Sequence, residues 1–259
     1  VQPYDAQSIY PNASLFSKSG ITRLLYRLLS NKIFLMTAVS NDLAATYRKL
    51  FSWSKHVGLY NIISDSFSPT YLTKLYTPIN REEEPKYSVI ACGRLDYEKG
   101  FHMIIKSFAL FRLTCPTATL LIVGEGKEEA DLRNLTSLYY LQDSVTFAGH
   151  SDDPQSYFRD AKIYVHASKN EGMPNTLVEA ILCGCIPVAY DCDTGPREIL
   201  QCDQPLLVRQ YEEHAFAKAM SNAFEYDSDC HRELFKRTFK LFSATEFFAR
   251  LNQYTRSSF

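Results

Sequence analysis

From Ser88 to Val208 short apolar runs alternate with stretches of helical periodicity, and that alternation leaves few folds open. Ser88–Cys92, Thr119–Val123, Val145–Phe147, Ile163–His166, Ile186–Tyr190 and Pro205–Val208 read as strands. Between them Gly100–Arg112, Lys127–Tyr140, Pro154–Asp160, Asn175–Cys183 and Gly195–Leu200 read as helices. Strands that alternate with helices argue for a parallel sheet with helices on both faces. The predicted class is therefore α/β, doubly wound and Rossmann-like. From Tyr211 to Arg256 the pattern is helical, with a break near Phe242-Ser243.

The segment before this region reads differently. Leu15–Lys32 has Ile21, Leu24, Leu25, Leu28 and Leu29 at helical spacing, with Lys18, Arg23, Arg27 and Lys32 adding positive charge. Such a helix packs into a core or lies on an anionic membrane surface. Ile33–Val39 reads as a buried strand, Ser40-Asn-Asp-Leu caps a helix through about Leu50, and Val57–Ile63 reads as a short strand. Residues 64–85, with Ser66, Ser68, Pro69, Pro78 and Arg81-Glu-Glu-Glu-Pro85, read as a linker.

Composition excludes several classes. A hydrophobic fraction of 46% fits a cored globular chain, and a net charge of −1 gives no bulk electrostatic case for nucleic acid. The seven cysteines show no Cys-x-x-Cys and no zinc-type spacing, which fits buried thiols in a reducing cytoplasm. No apolar run approaches the roughly 20 residues that span a bilayer. Gly124-Glu-Gly126 matches part of a dinucleotide fingerprint, but Glu129 stands where the third glycine belongs. A tight turn is the simpler reading, and a nicotinamide-dependent enzyme is the alternative.

Two segments carry chemistry. Glu171 and Glu179 lie eight positions apart, with Gly172, Met173, Pro174 and Asn175 after the first and Thr176, Leu177 and Val178 before the second. Eight positions are a little over two helical turns, so Glu171 falls in the loop before a helix and Glu179 on its early face. Backbone N–H groups at that helix start suit a bound phosphate. Gly93-Arg94-Leu-Asp-Tyr-Glu-Lys99-Gly100 follows the strand at Cys92, which puts Arg94 and Lys99 in a loop. The guanidinium fork matches phosphate oxygens and the ammonium adds a compact charge. A sugar nucleotide has the matching layout: sugar hydroxyls, diphosphate, ribose hydroxyls.

These two segments, followed by Thr194-Gly-Pro-Arg-Glu198, resemble the family 4 retaining glycosyltransferases of the GT-B fold over roughly residues 85–200. The run Val188–Glu198 looks most like members that extend bacterial surface glycans or lipid-linked oligosaccharides. The resemblance implies a partial N-terminal acceptor domain over 1–72, a nucleotide-sugar donor domain over 73–242 and a helix over 243–259 that crosses back. It implies transfer of a sugar from a nucleotide donor, uridine-linked, to a glycan or lipid-linked acceptor with retention. Arg94, Lys99 and Glu171 are then the catalytic set: the two cations on the diphosphate, Glu171 on the sugar. Gly93, Gly149, His150, Gly172, Met173, Asn175, Thr176, Leu177 and Glu179 bind the donor, with Glu179 on the ribose and His150 against the base. His150 reads equally as a surface histidine, His166 as structural, and Glu198 either as a donor-loop residue or as a helix cap.

No metal or cofactor is expected beyond the nucleotide-sugar substrate. The implied location is cytoplasmic, at the inner face of the membrane, with peripheral attachment there. About 65 residues precede the linker, against about 150 for a typical domain. The expectation is a truncated enzyme, a fragment, or half of a split one. Its rival is a nucleotide-sugar-binding module that is inactive without a partner.

Overall fold

The computed structural model describes residues 35–50, 55–63, 65, 67, 85–201, 206–226 and 228–256. The helix expected over Leu15–Lys32 and most of the 64–85 linker lie outside these residues. The first described unit is strand β1 (Met36–Ala38), helix α1 (Asn41–Leu50) and strand β2 (His56–Gly58). The two strands pair in parallel, with Met36 opposite His56. Ser40 caps α1 as its residue type favours, its Oγ accepting from Leu43 N at 3.1 Å. The strand expected over Val57–Ile63 is shorter, because β1 offers only three residues to pair with. After Leu59 N donates to Ala38 O at 2.8 Å, the chain turns Tyr60 and Ile63 into the core.

The remaining elements are β3 (Tyr87–Cys92), α2 (Phe101–Phe111), β4 (Leu120–Val123), α3 (Glu129–Leu138), β5 (Val145–Gly149), α4 (Pro154–Arg159), β6 (Ala161–His166), α5 (Asn175–Leu182), β7 (Ile186–Asp191), α6 (Pro196–Leu200) and β8 (Leu207–Arg209). Helices α7 (Glu213–Phe224), α8 (Ser228–Leu241) and α9 (Ala244–Arg256) follow. The six strands β3–β8 form one parallel sheet in the order β5-β4-β3-β6-β7-β8. Parallel neighbours need crossover connections, which the intervening helices supply. The helices bury both sheet faces, so every residue of β4 is inside. Phe101, Ile104, Ile105 and Phe108 of α2 complete this core.

The strand order reverses between β3 and β6. In an open α/β sheet, that reversal leaves a crevice at the carboxyl ends of the two strands. The loops after Cys92 and His166 therefore face one another. They touch at backbone level: Gly100 has φ 68°, and a Cβ there would lie 2.1 Å from Ala167 O.

The helical tail breaks twice, at Glu225-Tyr226 as well as at Phe242-Ser243. At the first break Tyr226 turns back to pack on the core. The second break meets the N-terminal unit. Ile63 N donates to Phe242 O at 2.9 Å, and Asp65 Oδ1 accepts from Ala244 N at 3.1 Å. The Arg250 guanidinium of α9 stacks 4.4 Å over the Tyr60 ring. Among the described residues no helix is long and apolar enough to cross a membrane.

Candidate active site

The two loops at the sheet reversal enclose a cavity of about 220 Å³ lined by Gly93, Arg94, Lys99, His166, Ser168 and Thr176 among others. Gly93 holds φ 155° as the chain leaves β3. The Arg94 side chain is 75% exposed, and Asp96 aims it: Nε donates to Asp96 Oδ2 at 2.6 Å. That tether occupies one edge of the guanidinium and leaves the terminal N–H groups for an anion. Asp96 is a partner that sequence reading passed over, although it sits two positions along in the same motif.

The loop itself rests on the turn after β4. Leu95 N donates to Glu125 O at 2.9 Å, and Glu128 N donates to Leu95 O at 3.0 Å. A Cβ on Gly124 would lie 1.9 Å from Gly93 O, and one on Gly126 2.3 Å from Leu95 O. The chain's own backbone thus requires both glycines of Gly124-Glu-Gly126. They serve as a support for the Arg94 loop.

Lys99 reaches across the crevice. Its Nζ donates to Glu171 Oε1 at 2.5 Å. Glu171 is 12% exposed, and His166 Nε2 lies 3.4 Å from the same oxygen as a contact rather than a formed hydrogen bond. Burial alone would raise the Glu171 carboxyl, but His166 and Lys99 outweigh it and hold the group down at about 2. Thr194 Oγ1 donates to Glu171 O, so the Thr194-Gly-Pro-Arg-Glu198 segment fixes the loop's backbone.

Helix α5 begins at Asn175 behind Pro174. The amides of Asn175 and Thr176 have no acceptor among the described residues, whereas Leu177 N is committed to Pro174 O at 3.1 Å. Leu177 and Met173 are buried in the core, so their side chains support the loop from behind. Gly172 packs toward the N-terminal unit, where a Cβ would meet Val39 Cγ2 at 3.1 Å. Glu179 stands one turn along α5 from Thr176. Its carboxyl is raised by burial, and no cation pairs with it among the described residues. Burial, and then the Glu179 charge, push the Cys92 thiol up to about 12.

Arg94 and Lys99 thus line the cavity and the ion pair ties Glu171 to Lys99, whereas Glu171 and Glu179 are not among its lining residues. Gly149 and His150 are not part of this cavity. Gly149 ends β5 and His150 follows it, two strand spacings from β3, or roughly 10 Å. Gly149 holds φ 75° with open space beside it, and the His150 side chain is 62% exposed, 3.2 Å from Asp152 Oδ1. A second depression, about 440 Å³, is lined, among the described residues, by the single run Tyr211–Ala215.

Comparison with known proteins agrees with this architecture. The model of the family described as glycosyl transferases group 1 matches residues 74–236, more than half of the chain. A protein of Haemophilus influenzae named only as a glycosyltransferase is 28% identical over 186 residues, 72% of this chain and 50% of that protein. An N-acetylgalactosamine-N,N'-diacetylbacillosaminyl-diphospho-undecaprenol 4-alpha-N-acetylgalactosaminyltransferase of Campylobacter jejuni is 29% identical over 140 residues, 54% of this chain and 38% of that one. The matched part is therefore half or less of each of these relatives. Among solved structures, Anabaena HepE in complex with UDP and glucose superposes with a TM-score of 0.73 at 20% identity, covering 97% of this chain and 70% of that one. The shared fold is GT-B.

Proposed function

This chain belongs to the group 1 glycosyl transferases, and we propose that it binds a uridine-linked sugar nucleotide whose sugar passes, with retained anomeric configuration, to a glycan or lipid-linked acceptor. One observation carries the reading. Two cations from the loop after β3 and one carboxylate from the loop after β6 meet at the sheet reversal, where a parallel α/β sheet binds ligands. In this reading Arg94 and Lys99 take the charge of the diphosphate as it leaves. Positive groups aimed at developing charge supply a large part of catalysis in such sites. Glu171 accepts hydrogen bonds from sugar hydroxyls and Glu179 from ribose hydroxyls. The amides of Asn175 and Thr176 face the phosphates, and His150 and Gly149 lie toward the base. The two cations do the neutralising that a metal does in other transferases, so the reading calls for none.

The names of the compared proteins support the ligand class, since HepE was solved with UDP and glucose. The acceptor reading follows the Campylobacter relative, whose name specifies an undecaprenol diphosphate. It implies action at the cytoplasmic face of a membrane, on a lipid-linked acceptor held there.

Isothermal titration with UDP, UDP-glucose, UDP-N-acetylglucosamine and UDP-N-acetylgalactosamine tests binding. The expected result is binding of UDP and of at least one sugar nucleotide, unaffected by EDTA. R94A and K99A should each weaken UDP binding by about tenfold or more, or about 1.4 kcal/mol. Unchanged affinity in both variants refutes the assigned roles. Transfer is a separate measurement, made with a lipid-diphosphate sugar acceptor. Proton couplings at the product's anomeric centre then report retention or inversion.

A further inference from the structure

Glu198 lies at the start of α6 in the donor half, yet its carboxylate is bonded to the other half. Oε1 accepts from Asp42 N at 2.8 Å. Oε2 accepts from Asn41 N at 2.9 Å and from Tyr60 Oη at 2.6 Å. Asn41 Nδ2 in turn donates to Tyr60 Oη at 2.6 Å. A helix start leaves several N–H groups without an internal acceptor. In α1 the Ser40 side chain takes the amide of Leu43 and the Ser40 carbonyl that of Ala44. The two remaining amides, of Asn41 and Asp42, are taken by a residue more than 150 positions away. An anion at a helix start is also favoured by the helix dipole.

The surrounding contacts converge on one loop. Asn61 Nδ2 donates to Asn175 Oδ1 at 2.8 Å. Gly172 faces Val39 and Leu43 closely enough that a Cβ would meet them at 3.1 and 3.6 Å. Thr194, four positions before Glu198, holds the Glu171 carbonyl. The N-terminal unit is therefore seated on the segment Glu171–Asn175.

We infer that Glu198 is a positioning residue that latches the N-terminal unit onto the donor loop, so that the seating of that unit and the order of residues 171–175 are coupled. The link to donor chemistry rests on the function proposed above; the latch itself does not. A charged acceptor removed from these donors leaves the half-buried Asp42 amide and the buried Tyr60 hydroxyl without it, so the seated state loses more than a wholly exposed contact would cost.

Amide hydrogen exchange on the full chain, without nucleotide, tests the latch. In E198Q one acceptor oxygen becomes an N–H donor facing other donors. The amides of Asn41 and Asp42 are expected to exchange about tenfold faster or more, the scale of one charge-assisted hydrogen bond. Residues 171–175 should lose protection with them, while β3, β4 and β6 stay protected. Y60F removes one donor from Glu198 without touching the donor half, and should produce a smaller change at the same amides. Unchanged exchange at Asn41 and Asp42 in both variants overturns the latch. Equal loss of protection through the central strands also overturns it, since Glu198 would then serve only the stability of the donor half. A second arm adds UDP to the unaltered chain. Coupling requires slower exchange at Asn41 and Asp42 on UDP binding, and no such slowing in E198Q. UDP that binds by titration but leaves those amides unchanged sinks the coupling; UDP that does not bind sinks the proposed function and leaves the first arm to judge the latch.

Discussion

Lys99 Nζ and Glu171 Oε1 meet at 2.5 Å across the sheet reversal, so the cation assigned to the diphosphate and the carboxylate assigned to the sugar are partners of one another. A donor that uses both must share or loosen this pair. Removing either side should then have opposite effects on the two ends of the ligand. K99A is expected to weaken UDP and UDP-sugar alike. E171Q releases Lys99 from its partner, so UDP affinity should hold or rise, while any advantage of the sugar nucleotide over UDP disappears. Titrations of both variants with both ligands check this. A parallel loss of UDP affinity in E171Q and K99A would mean that Glu171 acts on the diphosphate site only through Lys99.

The same pair sets an acid limit. The Glu171 carboxyl is held at about 2, below its ordinary value of 4.5, by His166 and Lys99 against the pull of burial. A depressed carboxyl contributes stability that is full above the unfolded value and is lost as pH falls through the folded one. The window is therefore from about pH 4.5 down to about 2. Between about pH 5 and pH 3 the linkage comes to roughly 2 kcal/mol. Urea unfolding at both values should show E171Q losing less stability than the unaltered chain by about that amount. Equal losses would place the acid-sensitive group elsewhere.

Much of this arrangement was legible in the sequence, for local reasons. β4 is four consecutive buried apolar residues, and a run of that kind has few other places to go. Arg94 and Lys99 were readable because their motif starts where a strand stops. The long-range pairings were not readable. Nothing near Glu198 in the chain encodes that its partners are Asn41, Asp42 and Tyr60, and the choice between a donor contact and a helix cap is made by tertiary packing. The length of β2 was hidden for a similar reason, since it depends on how much of β1 is there to pair with. The glycines after β4 matched half of a cofactor fingerprint, and only the approach of Gly93 and Leu95 explains them.

Glu179 offers a trade between stability and function. Its carboxyl is raised by burial. A raised carboxyl favours folding fully only below its unfolded value, and that contribution is lost as pH rises through the folded value. At neutral pH the charge is therefore a cost, which ribose hydroxyls would offset on binding. E179Q should stabilise the protein at pH 7, modestly, because the side chain is only partly buried. The gain should shrink as pH falls toward the unfolded carboxylate value, while UDP affinity drops. Thermal unfolding at neutral and acid pH, alongside UDP titration, reads both effects. Destabilisation by E179Q at pH 7 would show that the carboxylate is satisfied within the fold.

Charge and framework at the cavity can be separated with Arg94 and Gly100. Arg94 is largely exposed and, among the described residues, bonded only to its own loop, so R94A should change stability by no more than about 0.5 kcal/mol. Its cost should fall on UDP binding. Gly100 makes the opposite contribution: it carries no ligand group but holds φ 68° where the loops after β3 and β6 touch. In G100A the new Cβ would lie 2.1 Å from Ala167 O, a backbone atom that no side-chain rotation can move aside. The left-handed conformation adds its own strain for any residue with a Cβ. The loops must part, at about 3 kcal/mol or more. That parting also separates Lys99 from Glu171, so G100A should lose stability and UDP binding together. Urea unfolding with UDP titration distinguishes the two variants. If G100A kept full UDP affinity, the contact between the two loops would have no part in shaping the cavity, and the ligand would be held by the β3 loop alone.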